Sequence, residues 1–258
     1  MNGLRALIVC GAALAGTALA GEIPSTERRS GAAFMAPETQ AMQADDSENP
    51  GMLWVLQGER LWSEPAGSSG KSCASCHGEA SASMRGVAAR YPASDVAAGG
   101  TIDLAGRIAL CQRDKQGAPE PARESDELLA LTAFVGHQSR GLPVAPPDDP
   151  RLASSRANGK RLFEARMGQL DLACASCHDD NWDKKLGGSA ITQAHPTAYP
   201  LYRLEWQALG SLQRRMRNCM IGVRAEPFAY GAPEFVDIEA YLMSRAAGLP
   251  VETPGVRP

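Results

Sequence analysis

The pentapeptide Cys174-Ala-Ser-Cys-His178 sets two thiols three residues apart with an imidazole directly behind them, and the same five residues recur at Cys73-Ala-Ser-Cys-His77. A C-x-x-C-H string suits covalent haem c: each thiol can close a thioether onto a vinyl group while the histidine ligates the iron. A zinc or redox C-x-x-C is the competing reading. It is disfavoured because zinc pairs draw their remaining ligands from farther along the chain. The sequence therefore predicts two covalently bound haem c groups. One is attached through Cys73 and Cys76 with His77 as axial ligand, the other through Cys174 and Cys177 with His178.

The motifs belong to a longer repeat. Gly58, Arg60, Leu61, Trp62 and the first motif map onto Gly159, Arg161, Leu162, Phe163 and the second at a constant offset of 101. Downstream, Arg107-Ile-Ala-Leu-Cys111 matches Arg215-Met-Arg-Asn-Cys219 at an offset of 108, so the second copy carries about seven extra residues after its motif. An offset of 107 aligns Phe134 with Tyr241, and Gly141-Leu-Pro-Val144 with Gly248-Leu-Pro-Val251.

Helical spacing of apolar residues predicts an opening helix in each copy, one from Pro50 with Asn49 as its cap, the other over 154–166. Closing helices are predicted over 126–138 and 233–245, with Leu128, Leu131 and Val135 on one apolar face and Phe235, Ile238 and Leu242 on the other. Opening helix, haem motif, irregular chain and closing helix is the plan of a cytochrome c domain. The expected fold is all-α, with two cytochrome c-like domains related by internal duplication.

Residues 1–20 read as a secretory signal, with Arg5 ahead of an apolar core and Ala18-Leu19-Ala20 as the cleavage site; Cys10 lies in that core and is expected to leave with it. Export of a haem protein places it in the periplasm. Beyond the signal no apolar run reaches the ~18 residues that span a bilayer. Residues 21–49 are rich in Pro, Ser, Ala, Glu and Asp and are expected to form an irregular N-terminal arm. The first haem domain is assigned to 50–144, a proline-rich linker to 145–150, and the second haem domain to 151–258. Losing Arg5 takes the basic residues from 26 to 25 against 29 acidic ones, a formal charge of −4, so nucleic acid is not an expected partner. Only 5% of the chain is aromatic, which leaves apolar bulk for haem to supply.

Of 7 cysteines, Cys111 and Cys219 remain once Cys10 and the haem-attaching thiols are set aside. In an oxidising compartment a leftover pair suggests a disulfide. The repeat argues otherwise: each falls at the same place in its own copy, 34 residues after His77 and 41 after His178, where a distal methionine commonly sits. No methionine occupies matching positions. Cys111 and Cys219 are therefore read as axial thiolates. Arg214, Arg215, Arg217 and Arg224 cluster around Cys219, a density that lowers a thiol pKa and attracts an oxyanion. Around Cys111 the basic residues Arg107, Arg113 and Lys115 are mixed with Asp114, which makes the second haem the reactive one. His137 and His195 are expected in surface or hydrogen-bonding roles.

With its duplicated motifs, repeated distal cysteine and the string Arg215-Met-Arg-Asn-Cys219-Met-Ile-Gly-Val-Arg224-Ala-Glu-Pro227, the chain resembles the SoxA family, dihaem subunits of the SoxAX cytochromes of thiosulfate oxidation. The resemblance covers nearly everything after residue 20. It implies L-cysteine S-thiosulfotransferase activity, in which thiosulfate is joined oxidatively to a cysteine of the SoxYZ carrier protein. It further implies that Cys219 is both haem ligand and catalytic cysteine, carried as a persulfide, and that Arg215 binds substrate. A SoxX-type monohaem cytochrome c subunit would complete a heterodimer, and a soluble cytochrome c would accept the electrons. A plain dihaem carrier would be expected to use His/Met ligation and a dihaem peroxidase an open iron site; neither accounts for two matched cysteines.

Overall fold

The computed structural model describes residues 23–258, so the expected signal and Cys10 lie outside the described residues. The leading stretch has no core of its own: Ser25–Glu27 and Gly31–Phe34 are short 3-10 turns, followed by the helix α1 (Pro37–Ala44). The first copy runs through α2 (Met52–Ser63), α3 (Cys73–His77), α4 (Ala80–Ser83), a hairpin of β1 (Ala93–Asp95) and β2 (Gly100–Ile102), α5 (Leu104–Cys111) and α6 (Asp126–His137). The second runs through α7 (Ala153–Glu164), α8 (Cys174–His178), a hairpin of β3 (Lys185–Leu186) and β4 (Ser189–Ala190), another of β5 (Leu201–Arg203) and β6 (Ala208–Gly210), α9 (Leu212–Gly222) and α10 (Pro233–Arg245). The last strand, β7 (Gly255–Arg257), lies parallel on β5. The opening helix starts at Met52 rather than Pro50, because Asn49 Oδ1 accepts the Gly51 N–H at 2.9 Å and turns the chain one step later.

Each copy is built on one crossing of its opening and closing helices, and a repeated glycine lets the backbones meet there. A Cβ on Gly58 would stand 2.2 Å from the Ala130 carbonyl oxygen, and one on Gly159 would stand 1.9 Å from that of Asp237. A side chain at either place would force the helices apart. The closer approach packs Trp62 against Phe134 at 5.9 Å in the first copy and Phe163 against Tyr241 at 5.5 Å in the second. Helix α6 is buried on all sides from Leu128 to Gly136, which explains why its apolar stripe is so wide.

The duplication extends further than the helices. The β1–β2 and β5–β6 hairpins coincide residue for residue at an offset of 108, each preceded by a cis Tyr-Pro peptide and followed by a capped helix ending in or passing through the distal cysteine. Asp103 caps α5 by accepting the Gly106 N–H at 2.7 Å, and Ser211 caps α9 by accepting that of Arg214 at 3.1 Å.

The copies are tied through their own repeated ends. The two Gly-Leu-Pro-Val tetrapeptides pair antiparallel: Gly141 N–H donates to Val251 O, Val251 N–H to Leu142 O, Val144 N–H to Leu249 O and Gly248 N–H to Val144 O. Beside this seam Asp103 accepts from Arg123 at 2.7 Å and from Gln213 of the second copy at 2.9 Å. The leading stretch crosses to the second copy as well, where Arg29 N–H donates to Gln193 Oε1 at 2.7 Å and Asn49 to the Pro254 carbonyl at 2.9 Å. Among the described residues no helix is long and apolar enough to cross a membrane.

Candidate functional site

Both C-x-x-C-H strings fold as a single helical turn because a serine inside each one closes it. Ser72 and Ser75 exchange side-chain to backbone hydrogen bonds at 3.0 and 3.1 Å, and Ser176 Oγ accepts the Ala173 N–H at 3.1 Å. One turn brings the first and fourth positions to the same side, so the two thiols of each motif share a face and the histidine follows at its end. All six described cysteines are free thiols, and no disulfide joins Cys111 to Cys219.

Each motif histidine packs against the ring that repeats in its opening helix, Trp62 on His77 at 5.8 Å and Phe163 on His178 at 6.4 Å. His178 Nδ1 lies 2.6 Å from the Thr192 carbonyl, which can only accept, so Nδ1 carries the proton and Nε2 keeps the lone pair a metal ligand needs. Directly after it Asp179 accepts from Arg245 at 2.5 Å. Arg245 is 2% exposed and lies 4.8 Å from the Phe163 ring and 5.7 Å from that of Tyr241, so the wall behind His178 is a stacked cation between two aromatics.

Cys219 comes to the same place from α9. Although Cys219 as a residue stays exposed, the protein around its sulfur pushes the thiol pKa up, and a hydrogen bond with His178, the charge of Arg215 and then those of His178 and Arg203 outweigh this and hold it below the ordinary thiol value. Cys174 is pushed up to about 11, by burial first and by the Cys219 charge second, and Cys177 rises for the same two reasons. The motif thiols, His178 and Cys219 therefore surround one space. The first copy has the same layout with a plainer lining: burial raises Cys73, Gln116 donates to its sulfur at 3.6 Å, and the charge of Cys111 raises it further. Paired free thiols, a histidine presented through Nε2 and apolar rings behind it fit haem c.

The structure separates the four arginines that cluster in sequence. Arg215 acts on Cys219, whereas Arg214 stacks on Trp206 at 4.2 Å and Arg217 lies 4.6 Å from the Tyr230 ring and donates to the Phe228 carbonyl. Arg224 follows the end of α9 with φ at +57°, its carbonyl accepting from Gln169 at 3.3 Å. In their stead Arg203 on β5 joins Arg215. Arg203 and the Thr192 carbonyl were not foreseen; the first lies outside the stretches matched by the repeat, and the second is a backbone group with no sequence signature. His195 is buried rather than at the surface, its Nδ1 2.8 Å from the Arg29 carbonyl, and His137 is half-buried 3.9 Å from Asp46.

A duplicated helical unit, each copy carrying a C-x-x-C-H turn and a free thiol returning to it, defines a c-type cytochrome. Its relatives agree. The SoxA/TsdA cytochrome c domain family matches the chain twice, over residues 57–144 and 158–251. The L-cysteine S-thiosulfotransferase subunit SoxA of Rhodovulum sulfidophilum is 36% identical over 278 aligned positions, which cover 98% of this chain and 97% of that protein. The same subunit of Pseudaminobacter salicylatoxidans is 39% identical, with 91% and 82% covered. The crystal structure of SoxXA from P. pantotrophus superposes with a TM-score of 0.85 at 32% identity, covering 89% of this chain and 86% of that one. The chain belongs to the SoxA/TsdA cytochrome c family, and it binds haem c covalently.

Proposed function

We propose that this protein is an L-cysteine S-thiosulfotransferase subunit that conjugates thiosulfate to a cysteine of a SoxYZ-type carrier in the periplasm, with residues 1–20 as its export signal. The observation that carries the reading is the convergence of Cys219, His178 and Arg215 on one space in a chain similar over almost its whole length to named SoxA proteins. Residues 50–144 and 151–258 are the two haem domains, joined by 145–150. Cys73, Cys76, His77 and Cys111 would hold one haem c, and Cys174, Cys177, His178 and Cys219 would hold the other. Haem c, when bound, supplies one-electron acceptor chemistry.

The conjugation forms one sulfur–sulfur bond between the sulfane sulfur of thiosulfate and the carrier thiol. It breaks that thiol's S–H bond and releases one proton and two electrons to a cytochrome c acceptor. Cys219, or its persulfide, engages the sulfane sulfur, for which a thiol held below its ordinary pKa beside a cation is suited. Arg215 holds the sulfonate end by charge-assisted hydrogen bonding. The Thr192 carbonyl keeps His178 in one tautomer and orientation.

A monohaem SoxX-type subunit completes the heterodimer. Support comes from the likeness to the SoxXA structure and from Leu170 and Ile221, apolar and 47% and 58% exposed on the chain flanking Cys219. The test is thiosulfate-dependent cytochrome c reduction with the carrier present. Cys219→Met should abolish it, because a thioether can ligate iron but cannot carry a transferable sulfur, while Cys111→Met should retain most of it. Equal loss in both variants, or activity in the first, would overturn the reading. A mass spectrum of the same preparation counts the haems.

A further inference from the structure

The duplication supplies an internal control for the second site. At the offset of 108 that superimposes the hairpins and distal-cysteine helices, Arg107 of the first copy is the counterpart of Arg215, and Asp95 is the counterpart of Arg203. Arg107 Nη1 donates to Asp95 Oδ2 at 2.9 Å, so in the first copy the guanidinium one helical turn before Cys111 is neutralised by a carboxylate from the neighbouring strand. In the second copy the strand contributes another guanidinium. Two arginines then stand at the positions that form a closed ion pair in the first copy.

Arg203 is held in place yet incompletely used. Its side chain is 12% exposed, its Nη2 reaches Glu205 Oε2 at 2.9 Å, and its guanidinium lies 5.3 Å from the Trp206 ring. Its Nε is shut off from solvent and has no hydrogen-bond partner. A buried N–H without an acceptor is costly in a folded protein, of order 1–3 kcal/mol, and such an atom marks a place where an acceptor is expected. Burial raises the phenol of Tyr199, counterpart of Tyr91, and the charges of Arg215, Arg257, Cys219 and Arg203 act on it, Arg257 being already paired with Glu252 at 3.4 Å.

We propose that Arg203 is a second anion-binding residue of the Cys219 site, holding the sulfonate oxygens of thiosulfate jointly with Arg215. This rests on the thiosulfate reading above and deepens it. Two guanidinia suit an anion with two negative charges, where one would leave a charge uncompensated. The carboxylate in the first copy leaves the matched cysteine there without a second guanidinium.

The same chemistry would also hold a carboxylate of the haem itself, and the experiment separates the two. Arg203→Asp installs the first copy's ion pair against Arg215, and Arg203→Gln removes the charge alone. Both are assayed as holoprotein with the partner subunit and carrier. The expected result is a rise in KM for thiosulfate of roughly tenfold for Gln and more for Asp, with kcat changed less, partial rescue by Arg203→Lys, and unchanged haem midpoint potentials. Independently of turnover, thiosulfate added without carrier should perturb the low-spin electron paramagnetic resonance spectrum of the Cys219 haem in the parent protein, at concentrations that Arg203→Gln raises by a similar factor. A shifted midpoint potential with an unchanged KM assigns Arg203 to the haem carboxylate and overturns the proposal. If Arg215→Ala raises KM and neither Arg203 variant does, the Arg203 assignment alone fails; if Arg215→Ala also leaves KM unchanged, the anion-binding reading of the whole site fails.

Discussion

Neighbouring arginines around Cys219 divide their work according to which way α9 turns them. Arg215 acts on the thiol while Arg214 is spent on the face of Trp206, so their substitutions should separate cleanly. Arg215→Ala is expected to lower kcat/KM for thiosulfate by roughly ten- to a hundredfold, the worth of one charge-assisted contact of about 1.5–3 kcal/mol. Arg214→Ala should change it far less, and steady-state kinetics on the two variants decides the matter. Arg245 makes a prediction of another kind. It is buried against Asp179 and stacked between Phe163 and Tyr241, so Arg245→Ala strands a buried carboxylate and should cost about 3–5 kcal/mol in a denaturant titration. The C-x-x-C-H strings and the paired Cys111 and Cys219 stand out in the sequence because each recurs in register in the other copy. Arg203 was passed over because its three-residue strand has no pattern of its own, and only its register with Asp95 in the other copy singles it out.

At the level of elements, the two helix crossings are the joints on which each copy depends. Gly58→Ala and Gly159→Ala push a methyl group into a facing carbonyl, and each should destabilise the protein by about 1–3 kcal/mol, with Gly159 the worse because its approach is closer. Gly100→Ala meets nothing within 4 Å and serves as the control in the same urea titration. Opening and closing helices were readable from apolar periodicity, and their ends fell within two residues of the observed ones. The short hairpins were not, because three-residue strands carry too little alternation to stand out. The repeated Tyr91-Pro92 and Tyr199-Pro200 dipeptides could have exposed them, together with the Asp95 to Arg203 replacement that follows four residues later.

Over the whole molecule, the seam between the copies sets how stability responds to pH. A cavity of about 80 Å³ there is lined by Asp103, Arg123, Glu124 and Glu239, and Arg123 is already committed to Asp103. Burial, then the Asp103 charge, pushes Glu239 up to about 8, and burial raises Glu124. The folded chain keeps the Glu239 proton that the unfolded chain gives up near 4.5, so this contribution is full below that value and is lost as pH rises toward 8. His195 runs the other way. Burial lowers its pKa from 6.5 to about 4, so its contribution is full above 6.5 and is lost as pH falls toward 4. The two slopes oppose one another between about 4.5 and 6.5, and stability should fall from there to pH 8. Urea midpoints measured across this range should lose the alkaline decline in Glu239→Gln and the acid decline in His195→Gln. The sequence by itself determined the duplication, the two C-x-x-C-H strings and the matched Cys111 and Cys219, since gene-level repetition acts along the chain at fixed spacing. Only the tertiary structure decided which arginines face Cys219, how the Gly-Leu-Pro-Val ends lock the copies together, and which acids are stranded at their seam. Those outcomes depend on side chains brought together from distant elements, where packing distance and shared charge, not spacing, are the governing quantities.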